Sequence, residues 1–206
     1  LDELDAVWES EYGHLGTLVR YADDFVVMCR RKAHAEEARS RLGEILDRLH
    51  LTLHPTKTRL VELGLGKDGF EFLGCTLRVI RSHFKGRNYL FRWPSPRAMK
   101  AIRCRVRDLT ARRRRAGMKD IREVILDLNP VLRGWGNYFR TGNASLKFQQ
   151  MDRYVRQRLI ALLLRRGGKK RSDFDPRAWP IVRFVRDHDL HRLIGTIRYP
   201  GGAHAT

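Results

Sequence analysis

The sequence predicts an α+β protein whose strands and helices are segregated along the chain. Three observations carry this reading. Up to Trp93 the apolar residues come in short β-branched and aromatic runs separated by turn residues. Beyond Pro94 and Pro96 they recur at helical spacing. The charge balance changes at the same place: residues 1–100 hold 17 basic and 14 acidic side chains, residues 101–206 hold 25 and 9. With 206 residues and 42% apolar content, the chain has material for one ordinary domain or two small ones.

The elements follow in order. Leu1 to about Tyr12 reads as the tail of a helix ending at Gly13, so polypeptide is expected to precede it. Leu18–Cys29 is interrupted by Ala22, Asp23 and Asp24, which predicts two short strands joined by a tight turn. His34–Leu49 carries a helical stripe of Ala35, Ala38, Leu42, Ile45, Leu46 and Leu49, and residues 51–63 read as a loop leading into a strand. Gly64–Gly69 is a turn, Phe70–Ile80 a strand, Lys85–Asn88 a turn and Tyr89–Trp93 a strand, making residues 59–93 a run of antiparallel strands.

Past the prolines, one helical face holds Met99, Ile102, Val106 and Leu109. A second holds Ile121, Val124, Ile125 and Leu128, and a third holds Phe148, Met151, Val155, Leu159 and Leu162. A separate short helix with Val131, Leu132, Trp135, Tyr138 and Phe139 is expected between the last two. Residues 165–172 read as a flexible link to a tail containing Trp179, Phe184 and Leu190.

A net charge of +19 concentrated in the helical half asks for a polyanionic partner, and interleaved aromatics favour nucleic acid over a membrane. Arg103, Arg107, Arg112, Arg113, Arg114 and Arg115 lie on or beside one helix, and Arg133, Arg140, Lys147, Arg153, Arg156 and Arg158 on those after it. Charge runs are commonly solvated faces, but so large an excess repels itself unless a polyanion is bound. Trp135, Tyr138 and Phe139 could stack on bases, but at helical spacing such residues are more often core, and Gly134 and Gly136 beside the Trp favour close helix packing. Cys29, Cys75 and Cys104 are odd in number and widely spaced, which supports neither disulfides nor zinc and fits a reducing, cytoplasmic compartment. The longest apolar run, Leu159–Leu164, is too short to span a bilayer.

Carboxylates at a hairpin tip supply hard oxygen donors for the divalent metal that phosphoryl transfer requires. Asp23 and Asp24 stand at such a tip between Leu18-Val19 and Phe25-Val26-Val27. An Asp-Asp pair is also ordinary turn chemistry; the apolar flanks favour the functional alternative.

Tyr21-Ala22-Asp23-Asp24 resembles the YxDD box of reverse transcriptases, in the YADD form of group II intron-encoded proteins. Leu53-His54-Pro55-Thr56-Lys57-Thr58 resembles the next family block, and Phe70-Glu71-Phe72-Leu73-Gly74 the FLG block after it. Residues Asn129 to Phe139, NPVLRGWGNYF, resemble the maturase, or domain X, motif. These four blocks stand in the family's order and cover nearly the whole chain.

The resemblance implies the C-terminal part of a reverse transcriptase palm at residues 1–94, β-hairpins plus a helix. A helical thumb with maturase character would follow at 95–165, and a basic linker and tail at 166–206. It implies magnesium held by Asp23, with Asp24 beside it in a secondary role, and protonation of departing pyrophosphate by Lys57. Tyr21 and Ala22 would line the primer and nucleotide site, and Phe72 and Gly74 would support the primer end. Read from the residues alone, Lys57 is equally a solvated lysine after a proline bend and Gly74 equally a β-bulge glycine.

The implied activity is RNA-directed DNA synthesis from deoxynucleoside triphosphates on template RNA and a DNA primer, coupled to binding and splicing of group II intron RNA. The family takes a further metal-binding carboxylate from an earlier strand. Asp47, Asp68 and Asp108 do not suit that part, so this chain alone is expected to hold half a metal site. The alternative is a non-catalytic RNA-binding maturase remnant; a retron-type enzyme is disfavoured by the Gly134–Phe139 motif.

Overall fold

The computed structural model describes residues 2–82, 86–111, 120–166 and 179–198. It is an α+β structure with two small antiparallel sheets and two compact units, one comprising Leu1–Leu73 and Leu77–Leu90, the other Gly74–Thr76 and Phe91–Thr206.

In the first unit, helix α1 (Asp2–Val7) widens into a π-helical turn (Trp8–Tyr12), followed by the hairpin β1 (Thr17–Tyr21) and β2 (Asp24–Met28) and by α2 (Lys32–Arg48). Leu4, Trp8, Leu15, Ala38, Leu42, Ile45 and Leu46 form its core, with Leu18, Phe25 and Val27 packed against it. The indole N–H of Trp8 donates to the Gly16 carbonyl at 3.0 Å, tying the π turn to the start of β1. Gly16 is required there: a Cβ would lie 2.6 Å from the Met28 carbonyl oxygen.

The predicted strand at residues 59–63 does not form. Leu60 and Leu63 are exposed, and no strand pairs with this stretch among the described residues. A short apolar stretch makes a strand only when a neighbour satisfies its backbone groups.

The second sheet has the order β3–β4–β5, formed by Phe70–Phe72, Cys75–Arg81 and Asn88–Pro94. The single strand expected over Phe70–Ile80 is instead a hairpin, broken at Leu73 and Gly74. Both of those residues have positive φ, +47° and +71°, the pattern of a type I′ turn, so the turn overrides the apolar run that suggested continuity.

The second unit contains α3 (Pro96–Leu109), α4 (Ile121–Phe139), α5 (Ser145–Arg166) and α6 (Ile181–His188). The Ser95 hydroxyl caps α3 by accepting from the Ala98 amide, with Pro96 in the first turn, and Asp120 caps α4 through the Arg122 amide. The expected break between Leu128 and Val131 is absent, because α4 runs straight through the exposed Pro130. An interior proline costs about 3 kcal/mol. Burying Leu128, Leu132 and Phe139 along one continuous face outweighs that, at roughly 1.5–3 kcal/mol for each large side chain.

Within the described residues, the segment expected to be a tail is a packed element. Phe184, Leu190 and Leu193 are fully buried, and a Cβ on Gly136 would lie 2.7 Å from Leu193 Cδ2. Asp152, buried on α5, accepts from the Leu193 and Ile194 amides at 3.0 Å each. Asn129 on α4 donates to the Asp189 carbonyl and accepts from the His191 amide. Two polar side chains that interrupt apolar helix faces thus satisfy the backbone of the returning chain.

Burial pushes the Asp152 carboxyl above its ordinary 3.8, opposed by its two backbone hydrogen bonds. A carboxyl raised on folding contributes stability below the unfolded value, lost as pH rises through the folded one. Asp152→Ala leaves the buried Leu193 amide and the half-buried Ile194 amide without this acceptor and should destabilise the chain by about 2–4 kcal/mol in denaturant unfolding at pH 7. The stability difference between the wild-type chain and Asp152→Asn should widen in favour of wild type between pH 7 and pH 4.

Candidate functional site

The β1–β2 pairing runs Thr17↔Met28, Leu18↔Val27, Val19↔Val26, Arg20↔Phe25 and Tyr21↔Asp24. Only Ala22 and Asp23 remain for the loop, so the alternation of side chains is decided up to its edge. Leu18, Arg20, Phe25 and Val27 take the inner face, and Val19, Tyr21, Asp24 and Met28 the outer one, with Tyr21 67% exposed. Asp23 stands on the turn and Asp24 opens β2, both exposed and adjacent but not equivalent.

Ala22 has φ +53° and Asp23 does not share the positive sign, the pattern of a type II′ turn, whose first central position favours glycine. A side chain in this region costs about 1–2 kcal/mol. Something must hold the turn in that form.

Arg20 does so. Its side chain, 17% exposed, points inward from β1, and its guanidinium donates to both Asp5 carboxylate oxygens, to Asp2 at 3.0 Å, and to the Ala22 carbonyl at 3.1 Å. Hydrogen bonding to Arg20 holds the Asp5 carboxyl below the ordinary carboxylate range and raises Arg20 in return. Sequence reading missed this group. The available signal was a cation at a core-facing strand position, which needs a carboxylate partner.

The remaining residues are dispersed. Lys57 is exposed in a turn closed by the Thr58 amide on the His54 carbonyl at 2.9 Å, and no hydrogen bond or ion pair joins it to Asp23 or Asp24 among the described residues. Phe72 is half-buried at the end of β3, and Gly74 is the second residue of the β3–β4 turn, 3.8 Å from Phe139 Cζ when given a Cβ. No group of three or more His, Cys, Asp or Glu able to hold a metal ion occurs among the described residues.

On the helices, Arg103 stacks over Tyr154, its guanidinium 5.9 Å from the ring centre. Arg158 donates to Thr110 Oγ1 at 2.9 Å and to the Arg107 carbonyl, so α3 and α5 gather Arg103, Arg107 and Arg158. Arg133 is exposed on α4, Arg140 caps its end with a carbonyl that accepts from the Arg198 amide at 2.7 Å, and Lys147 is half-buried on α5. Arg112, Arg113, Arg114 and Arg115 lie outside the described residues. Of the three aromatics in the NPVLRGWGNYF stretch, Phe139 is core, Trp135 is half-buried and Tyr138 is 58% exposed. No described helix is long and apolar enough to cross a membrane.

Residues 1–77 match the family model for reverse transcriptase (RNA-dependent DNA polymerase), and residues 99–180 the model for the group II intron maturase-specific domain. The chain belongs to the group II intron reverse transcriptase/maturase family. No curated protein matches it. The reverse transcriptase match contains the Asp23-Asp24 hairpin, and the maturase-specific match contains most of α3 and all of α4 and α5 of this reverse transcriptase/maturase chain.

Because glycine adopts positive φ without a Cβ penalty, Ala22→Gly should stabilise the hairpin by about 0.5–1 kcal/mol. Equilibrium unfolding, compared with Ala22→Val as a destabilised control, checks this.

Proposed function

We propose that this chain carries the metal-holding turn and the RNA-gripping helices of an enzyme for RNA-directed DNA synthesis coupled to splicing of its intron. Its place of action is cytoplasmic, and its substrates are template RNA, a DNA primer and deoxynucleoside triphosphates. One observation carries the reading: a two-residue loop that sets Asp23 on the turn and Asp24 beside it, both exposed, at the end of a half-buried, braced hairpin.

The donor set fits magnesium in kind, since both side chains are hard carboxylates, and one or two such ligands commonly serve where substrate phosphates complete the shell. Asp23 would hold the ion, with Asp24 in support. When bound, magnesium favours deprotonation of the primer 3′-hydroxyl and neutralises charge on the phosphates. Tyr21, on the outer face beside Asp24, offers a ring against which the primer end or the incoming nucleotide packs. The Lys57 ammonium gives a proton to the departing pyrophosphate oxygen. Arg103, Arg107 and Arg133 pair with RNA phosphates, and shape rather than base sequence is what such contacts read. Residues 1–94 form the palm portion, 95–165 the thumb, and 166–206 the basic linker and tail.

A second reading, an RNA-binding maturase without catalysis of its own, is favoured by the two-carboxylate count among the described residues. Primer extension with magnesium separates the two. The 206-residue chain alone is expected to give no templated product, and any such product would mean that its carboxylate set is sufficient. Both readings require RNA binding. Affinity for a folded group II intron RNA should fall steeply with salt, and Arg103→Gln and Arg107→Gln should each reduce the logarithmic slope by about 1. Slopes that do not move would show these arginines to be solvated.

A further inference from the structure

The acidic turn is held to the preceding helix by one side chain, and this contact does more than complete the core. Arg20 reaches in two directions from the inner face of β1. Toward α1, Nε and one terminal nitrogen engage Asp5, and that same terminal nitrogen also reaches Asp2. Toward the tip, the other terminal nitrogen donates to the carbonyl of Ala22, the residue whose φ is +53° and whose peptide leads into Asp23. At the far end of β1, the Trp8 indole bonds the Gly16 carbonyl, so the α1–π segment grips the strand at both ends.

We propose that Arg20, oriented by Asp5, is a positioning residue for the Asp23-Asp24 turn: it fixes the Ala22 peptide and thereby the direction in which the two carboxylates leave the hairpin. The idea deepens the magnesium reading given above and rests on it for its consequence, though not for its geometry. Planarity explains the choice of arginine. A guanidinium presents donors along two edges and can serve a carboxylate and a carbonyl together, whereas the single ammonium of lysine cannot span both in fixed geometry. Asp5 and Asp2 also offset a cation that would otherwise lie unpaired close to a proposed cation site.

The test uses the 206-residue chain, with Mn²⁺ as probe and nuclear magnetic resonance as readout. In the unaltered chain Ala22 should show the strong intraresidue amide-to-Hα cross-relaxation of positive φ, and Mn²⁺ should broaden the Asp23 and Asp24 amides. Arg20→Gln should abolish the Ala22 signature and weaken Mn²⁺ binding about tenfold while the resonances of the helical unit stay in place. Asp5→Asn should do the same in smaller measure, and the double variant should be no worse than Arg20→Gln, because Asp5 acts through the guanidinium. Arg20→Lys should recover less than half of the lost affinity.

If Arg20→Gln does not fold, Asp5→Asn decides the question with the guanidinium retained. A folded Arg20→Gln chain with the Ala22 signature and Mn²⁺ affinity unchanged overturns the proposal. Mn²⁺ that leaves Asp23 and Asp24 sharp in the unaltered chain sinks the magnesium reading instead, and the Ala22 signature then decides the brace by itself.

Discussion

Strands paired up to Tyr21 and Asp24 leave the intervening chain two residues in which to reverse, and that shortage of length governs the first unit. Inner positions are committed to Leu18, Arg20, Phe25 and Val27, and the acids are forced to the rim. An arginine caught on the inner face cannot remain uncompensated, which explains why α1 is acidic where it passes and why Asp5 lies within hydrogen-bonding reach. The non-glycine residue at a position that prefers glycine is tolerated because its surroundings over-determine it.

The helical unit solves a different problem, keeping many cations out of a core that must still close. Met99, Ile102, Val106, Val124, Leu128, Phe148, Met151, Val155 and Leu159 are buried, while Arg103, Arg107 and Arg133 are left exposed. Arg158 is the intermediate case, its guanidinium turned back onto Thr110 and the Arg107 carbonyl, where it joins α3 to α5. A basic surface of this kind is compatible with stability only while its charges stay solvated or meet phosphate.

Much of this was legible in the sequence. The hairpin around Asp23, the α2 stripe and the three helical faces follow from periodicity, which reports burial directly. The failures share one cause: local pattern carries no information about partners. Residues 59–63 are apolar enough for a strand but pair with none among the described residues, α4 carries Pro130 because distant side chains hold it, and Leu73-Gly74 folds back where an apolar run suggested continuity. At the hairpin tip, the position of Asp23 and Asp24 was readable, but the contacts that surround the turn were not. Arg20, Asp5, Asn129 and Asp152 act across separations of 15 to 62 residues, beyond the reach of any window along the chain.

The docking of residues 184–194 against α4 and α5 has a consequence for biosynthesis. The core of the helical unit is completed by Phe184, Leu190 and Leu193, and Asp152 and Asn129 wait for amides that follow them by 41 and 62 residues. During translation the strand-bearing unit, whose residues emerge first, can collapse early. The helical unit must stay open, with its apolar faces uncovered and its arginines already outside the ribosome, until this segment clears the exit tunnel.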